Sequence, residues 1–444
     1  MNGEGTRPSM GRWYVLLLIS LMYLITYLDR VNISAAAPVI SKEFNFDKLT
    51  MAAIFSAFVW AYALFQVPGG WLADRYGPRD VLTTIVSYWS VMTAATATAA
   101  GAVSFVIVRF LFGVGEAGAF PGATRAMQVW YPPRERGFVQ GITHSASRLG
   151  AAIAPPIVVT IMVGGQLDLP WLDFSISVPA LGWRAAFYIC GALGIVWSLW
   201  WYLAYRNLPE HHAGVNRAEL ERIRGTDANG NVNPPRIETQ ADVPWATLLR
   251  SPNMWAIMCA YFTYVYCLWI FLTWLPSYLI DYRGFTLLKS GYLTSLPLLA
   301  GVVGDTVGGL ATDWLLRKTG NARFSRRAVA IVGLLGAVAC IVPAALVEDA
   351  YAAVYCLTAA GFFLECTIGP SWAVPMDTGG KYSGTVSGMM NMAGNCGGAL
   401  SPLVFGYLAQ IGSWQAPFIV AAALLLVGAI IWAFWLDPEV PVIE

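Results

Sequence analysis

Apolar and polar positions divide the chain into twelve apolar blocks. They lie at about 13–37, 50–73, 80–100, 102–124, 137–163 and 183–205, then 252–280, 288–312, 327–347, 350–374, 383–410 and 414–436. Each is close to the roughly 20 residues that a helix needs to cross the bilayer hydrocarbon. The pattern predicts an all-α membrane protein of twelve transmembrane helices. A transmembrane β-barrel is excluded, because its strands are short and alternate. Between blocks six and seven the chain turns polar, with Pro234-Pro235 and the run Gly225-Thr226-Asp227-Ala228-Asn229-Gly230-Asn231. This divides it into a six-helix bundle at 12–206, a linker at 207–250 and a second six-helix bundle at 251–437. The first block ends in Ala35-Ala36-Ala37, as a cleaved leader could, but it is too long and holds Asp29 and Arg30, so it reads as a retained helix.

Composition agrees: 57% of the 444 residues are hydrophobic and 12% are charged, against about 25% charged in soluble domains. A net charge of +1 leaves no basic surface for nucleic acid. The seven cysteines fall inside apolar blocks without metal-ligand spacing and read as packing residues. With three histidines in all, His211-His212 reads as solvated loop, so no metal site is expected. Gly113-x-Gly115-x-x-Gly118 matches the dinucleotide fingerprint only as a string, because it lies inside an apolar block with no preceding strand. Close helix packing explains it better. No Gly-x-x-x-x-Gly-Lys-(Ser/Thr) phosphate loop occurs, which argues against an ATP-driven pump. No nucleophile constellation suggests an enzyme, and no cofactor is expected beyond protons as coupling ion.

Basic residues set the expected orientation. With the N-terminus in the cytoplasm, nineteen of the 27 Lys and Arg fall on the cytoplasmic side, five on the other and three inside helices. Both termini are therefore expected in the cytoplasm of a cell with this chain in its inner, or plasma, membrane.

The two halves repeat. Gly137, Gly141, Gly150 and Pro155 return as Gly384, Gly388, Gly397 and Pro402, Trp183-x-Ala185-x-Phe187 returns as Trp414-x-Ala416-x-Phe418, and Gly70 to Asp74 returns as Gly309 to Asp313. Two parallel repeats imply a site between them near the midplane, reached from alternate sides as the halves rock.

Gly70-Trp71-Leu72-Ala73-Asp74-Arg75-Tyr76-Gly77-Pro78-Arg79 resembles the signature loop of the major facilitator superfamily. Tyr27-Leu28-Asp29-Arg30-Val31-Asn32, Trp60-Ala61-Tyr62, Arg109 to Gly118, Trp274 to Leu279 and Asn391 to Ala399 are similar to its anion:cation symporters. Those include bacterial galactonate, glucarate and hexuronate carriers and the vertebrate sialin and vesicular glutamate transporters. The resemblance spans essentially the whole chain and implies proton-coupled transport of an organic anion. It also implies that Asp29 and Glu116 serve protonation, and that Arg30, Arg109 and Tyr62 contact substrate. By analogy, Gly70, Asp74, Arg75, Gly77, Arg79 and Asp313 would form a cytoplasmic gate.

A charge at helix centre costs about 2.5 to 3.5 kcal/mol on insertion scales, so Asp29, Arg30, Arg109, Glu116 and Arg148 mark the interior. Arg109 and Glu116 are seven residues apart and share a face. Asp29 and Arg109 are expected at matching depth, which permits a pair; a static stabilising bridge is the alternative. An acid whose arginine is captured by substrate changes its proton affinity, and this shared partner would couple the two movements. Arginine suits a carboxylate because its planar fork binds two oxygens. Arg148 reads either as a third positive contact or as a helix-packing residue. Tyr261, Tyr264, Ser371, Asn391 and Asn395 are the neutral candidates for substrate hydroxyls. Asp305 reads as part of the gate near Asp313, and Glu365 as a further proton site or a residue bonded to backbone.

The expected activity is symport of protons with a sugar acid (hexonate, hexarate or hexuronate), by a functional monomer whose other partners are lipid and the anion. The alternatives are an aromatic carboxylate or other small organic anion as cargo, and a non-transporting receptor or sensor of the same fold.

Overall fold

A computed structural model describes residues 7–169, 174–226, 232–234 and 245–442. The first half contains α1 (Gly11–Phe44), α2 (Lys48–Tyr76), α3 (Pro78–Thr96), α4 (Ala102–Glu116), α5 (Ala119–Trp130), α6 (Pro133–Val163) and α7 (Gly182–Ala204). The linker contributes α8 (Arg217–Arg224) and α9 (Trp245–Arg250). The second half contains α10 (Pro252–Thr273), α11 (Leu275–Ser277), α12 (Leu287–Thr319), α13 (Ala322–Leu346), α14 (Ala350–Glu365), α15 (Ile368–Thr378), α16 (Ser383–Gln410) and α17 (Ala416–Phe434).

These make twelve crossings, because α4 with α5, α10 with α11, and α14 with α15 each form one interrupted span. Ten described helices or helix pairs are long and apolar enough to cross a membrane by themselves. The other two crossings, α3 and α16, are diluted by small polar residues: Thr83, Thr84, Ser87, Ser90 and Thr93 in one, and glycine, serine and asparagine in the other. Packing holds them in the bundle, α3 against α4 and α7, and α16 against α10 and α2.

Two expectations change. The first helix runs on to Phe44 through Pro38, because proline tolerated within a membrane helix did not end it. Asp29 is therefore deeper than a stop at residue 37 implied. The segment between α6 and α7 also holds an antiparallel hairpin, Gly165–Leu169 (β1) with Phe174–Val178 (β2), where no strand was expected. Its alternating Phe-Ser-Ile-Ser-Val is a strand pattern too short to register beside the long apolar blocks.

Two of the three interrupted crossings break beside a glutamate. Glu116 is the last residue of α4 and Glu365 the last of α14. The residues after them, Ala117 and Cys366, have nearly the same backbone angles, φ −56°, ψ −31° and φ −57°, ψ −21°. Glycines admit a neighbouring helix at each break: a Cβ on Gly69 would lie 2.5 Å from the Cα of Gly118, and one on Gly369 would lie 2.9 Å from the Cα of Gly309.

The halves meet at the end of the bundle away from the linker. There Lys48 Nζ reaches Asp281 Oδ2 at 2.6 Å, Lys48 N donates to Gln410 Oε1 at 3.0 Å, and Gly291 packs on Pro155 and Val159. Toward the linker, a Cβ on Gly141, Gly309, Gly384 or Gly388 would meet nothing within 4 Å. The halves are thus tied together on one face and are more open, at these glycines, toward the face carrying the linker and both ends of the described chain.

The linker is anchored to the first half. Buried Glu219 on α8 accepts from Gly11 N at 3.2 Å, from Arg12 N at 3.0 Å and from the Ser9 hydroxyl. Arg12 in turn reaches Glu135 at 3.2 Å. Of the sequence features expected here, 227–231 and Pro235 lie outside the described residues.

Candidate functional site

Adjacent helical residues point about 100° apart, so α1 sends its two central charges to different places. Arg30 faces the interface between the halves. Its guanidinium carbon lies 4.4 Å from the Tyr62 ring centroid, 4.6 Å from that of Tyr27 and 5.5 Å from that of Phe58. Its Nε donates to Glu116 Oε1 in a buried ion pair. Arg30 keeps 7% of its surface and Glu116 none, while Arg30 Nη2 and Glu116 Oε2 have no hydrogen-bond partner among the described residues.

Asp29 turns back into the first half. It is wholly buried, and neither carboxylate oxygen has a hydrogen-bond partner among the described residues. Trp89 Nε1, Ser90 Oγ and Thr93 Oγ1 on α3 are likewise buried and unpartnered. Arg109 is 2% exposed and stacks on Phe112 at 4.5 Å and Phe58 at 5.1 Å. It lies near both Asp29 and Glu116 but forms no ion pair within 4.0 Å with either. The bridge permitted between Asp29 and Arg109 is therefore absent in this conformation, and the tight pair is Arg30 with Glu116.

Across the interface, Arg148 on α6 reaches the second half. Its Nη2 lies 3.1 Å from Glu365 Oε2 and donates to the Tyr264 hydroxyl at 3.1 Å, while that hydroxyl donates to Glu365 Oε2 at 2.9 Å. Glu365, read as a further acid or a backbone-bonded residue, is thus held by a side chain of the opposite half. Asp305, expected at the gate, is half-buried on α12 and acts electrostatically on Arg148 and Glu365.

The neutral candidates are divided. Tyr261 stacks on Tyr264 at 5.4 Å and accepts from Trp372 Nε1 at 3.1 Å. Ser371 donates to Thr367 O at 2.6 Å, and Asn395 Nδ2 to Asn391 O at 2.8 Å, so the serine hydroxyl hydrogen and one of the two asparagine amide hydrogens are used locally. Asn391 Nδ2 donates to Gln66 Oε1 at 3.3 Å and spans the halves. The interface also gathers residues given no role from sequence. Tyr27 contacts both Arg30 and Arg148, and Phe120 and His144 pack together at 6.0 Å, His144 reaching Trp372 at 5.8 Å. For Glu365 a signal was present: it follows Glu116 by 249 positions, close to the repeat offset, but an identity search keyed to glycines passes over it.

The gate candidates stay within their own halves. Gly70 packs on Pro121, and Arg75 lies exposed over Trp71 at 5.2 Å. Gly77 adopts φ +85° against Asn207, and Arg79 donates to Tyr202 O at 2.8 Å. Asp313 meets Arg326 at 3.4 Å, and Arg326 also reaches Asp377 at 3.2 Å. The side chain of Asp74 lies outside the described residues. None of these contacts crosses between the halves, in keeping with an open linker face.

The arrangement presents two arginines, each paired with a glutamate, within 6 Å of the centroid of one ring, that of Tyr27. Exposing or removing one partner of such a pair leaves an uncompensated buried charge, a cost of about 3–5 kcal/mol.

Comparison with known proteins places this architecture. The profile of the Major Facilitator Superfamily matches residues 19–402 and 378–444. A protein of Cupriavidus necator named as a probable sulfoacetate transporter is 43% identical over 94% of this chain and 92% of its own length. The D-galactonate transporter of Escherichia coli is 33% identical over 96% of each chain. A galactarate/D-glucarate transporter named as probable, also of Escherichia coli, is 31% identical over 94% of this chain and 92% of its own length. Among solved structures, a bacterial homologue of the human lysosomal transporter Spinster, in an inward-facing and unoccupied conformation, superposes with TM-score 0.74 at 19% identity, covering 95% of this chain and 96% of that one. With the profile spanning nearly the whole chain and twelve crossings arranged as two repeats, this chain belongs to the major facilitator superfamily.

Proposed function

We propose that the chain is a proton-coupled symporter of a small organic anion, working by alternating access in the inner, or plasma, membrane with both termini in the cytoplasm. The observation that carries this is the buried pair of Arg30 and Glu116. An anion that takes Arg30 leaves Glu116 buried without its ion-pair partner, and a proton is the smallest particle that removes that charge. Asp29, buried and unpartnered, is the second proton carrier, and Arg109 the charge between the two acids. On this reading the open face is cytoplasmic, the side to which the excess of Lys and Arg assigns the linker.

The names of the relatives support an organic acid and divide its class. Sugar acids are supported by relatives at 31–33% identity. A short sulfonated acid is favoured by the relative at 43%. Uptake into proteoliposomes, with and without an inward proton gradient, decides the matter. Galactonate, glucarate, glucuronate, sulfoacetate and benzoate form the panel. Accumulation of at least one non-aromatic acid only when the gradient is imposed is the expected result. Gradient-independent equilibration of every acid would overturn proton coupling, and the absence of any uptake would favour the receptor reading.

A further inference from the structure

We infer that the site holds two acid groups at once: Arg30 binds one end of the cargo and Arg148 the other, with Glu365 as the displaceable counter-ion of the second subsite, so that the substrate is a two-headed acid. This rests on the reading of the chain as an anion carrier and narrows its substrate class.

Three observations carry it. First, the two glutamates are structural counterparts. Each ends the first segment of an interrupted crossing with nearly identical backbone angles after it, and each is held by an arginine. The pair at Glu365 is formed across the halves, since Arg148 belongs to α6, so rocking must break or remake it.

Second, both arginines have unspent donors. Arg30 Nη2 and Arg148 Nε are buried and have no hydrogen-bond partner among the described residues, although burial of such a group is normally accompanied by a bond. The side chains keep 5% and 10% exposure, so neither arginine is sealed off entirely by its glutamate and rings.

Third, they are close enough to share one small molecule. Their guanidinium carbons lie 4.6 Å and 5.9 Å from the same Tyr27 ring centroid, so they are separated by no more than those two distances together, about 10 Å. A two-headed acid up to the length of a sugar spans that gap, each end taking a fork of two N–H groups.

Charge balance follows. With both pairs ionised, Arg30 with Glu116 and Arg148 with Glu365 sum to zero. A doubly charged cargo on the two arginines leaves two glutamate charges to be offset: that of Glu365 by a proton of its own, and that of Glu116 by a proton on Glu116, or by Arg109 once Asp29 beside it is protonated. The groups around Glu365 from other elements are Arg148 on α6, Tyr261, Tyr264 and Cys267 on α10, and Asp305 on α12. Among the described residues Asp305 is the further acid there. His144 and Tyr27 face Arg148 from the first half.

The test uses the full chain in detergent for binding, by competition and thermal shift, and in proteoliposomes for uptake. The probes are one-headed acids (glycolate, galactonate) and two-headed acids (sulfoacetate, malonate, glucarate). The intact protein should bind the best two-headed acid at least tenfold more tightly than any one-headed acid. Arg148→Gln should remove that margin, weakening two-headed acids at least tenfold more than one-headed ones. Glu365→Gln, which removes the competitor for Arg148, should tighten two-headed binding. Arg148→Lys keeps the charge and controls for folding: it should retain part of the margin.

A wild-type protein that accumulates galactonate with protons but shows no preference for two-headed acids would overturn this inference and leave the proposed function standing. Equal loss of both classes in Arg148→Gln, with the melting temperature preserved, would also overturn it. If no anion of either class binds or moves, the anion-carrier reading itself falls.

Discussion

Arg30 and Glu116 lie on helices α1 and α4 of the same half and close a buried ion pair against the ring of Tyr62. The pair is internal to one rigid element, whereas the pair of Arg148 and Glu365 joins the two halves. A carrier built this way has one charge pair that survives rocking unless cargo opens it and another that rocking must itself disturb.

Neutralising the acids separates transport from coupling. Glu116→Gln should abolish uphill accumulation in proteoliposomes while preserving exchange of anion between the two sides. If the variant still concentrates substrate against its gradient, Glu116 is not a coupling site.

Asp29→Asn should behave differently in stability. Asp29 forms no ion pair within 4.0 Å and sits beside Trp89 and Thr93, which can bond an amide as well, so its replacement should leave the melting temperature nearly unchanged. Glu116→Gln strips Arg30 of its counter-ion and should destabilise the unliganded protein by a few kcal/mol, up to about 3–5. Melting curves of the two variants in the same detergent check this, and bound anion should restore much of the loss in Glu116→Gln.

The closed face can be wedged. A side chain at Gly406 would place its Cβ 2.5 Å from Ala52 Cβ and 2.9 Å from Lys48 O, between the halves. Gly406→Val should therefore favour opening on that face. Asp281→Lys, which turns the Lys48 contact repulsive, should shift the balance less, because an exposed pair is worth only about 0.2–1 kcal/mol. Spin-label distances across the two faces would report both; a larger shift from Asp281→Lys than from Gly406→Val would contradict the packing argument.

Gly77 is required twice over. Its φ of +85° disfavours any side chain, and a Cβ there would stand 2.5 Å from Asn207, which accepts from Arg79 N at 2.9 Å. Gly77→Ala should cost about 1–2 kcal/mol or more from the backbone alone. A lowered melting temperature with unchanged anion affinity is the expected combination.

The linker should loosen in acid. His212 packs edge-on against Trp130 at 5.4 Å, and burial, reinforced by Arg206, holds its pKa below the ordinary 6.5. An unfolded or undocked linker binds this proton first, so docking is fully stable above about 6.5 and weakens as pH falls below it. Hydrogen exchange of residues 209–224 at pH 7.5 and 5.5 measures the effect: faster exchange, after correction for intrinsic rate, is expected at the lower pH. His212→Gln should remove most of the difference.

What the sequence determined was everything dictated by the bilayer and by duplication. Apolar length fixed the crossings, since any shorter block would leave backbone unsatisfied in lipid, and the glycine and proline repeats exposed the two halves. The cost of a buried charge marked Asp29, Arg30, Arg109, Glu116 and Arg148 as interior residues wherever they sat in a helix. Tertiary structure alone decided who meets whom. Neighbours on α1 diverge, so Arg30 rather than Asp29 reaches the interface, and Arg109 ends among phenylalanine rings instead of on a carboxylate. Glu365 acquires its partner from the other half, a contact between residues 217 positions apart that no periodicity encodes. Helical spacing gives direction within one element; which face of which helix lies opposite is set by packing, and the charge pairs follow from that.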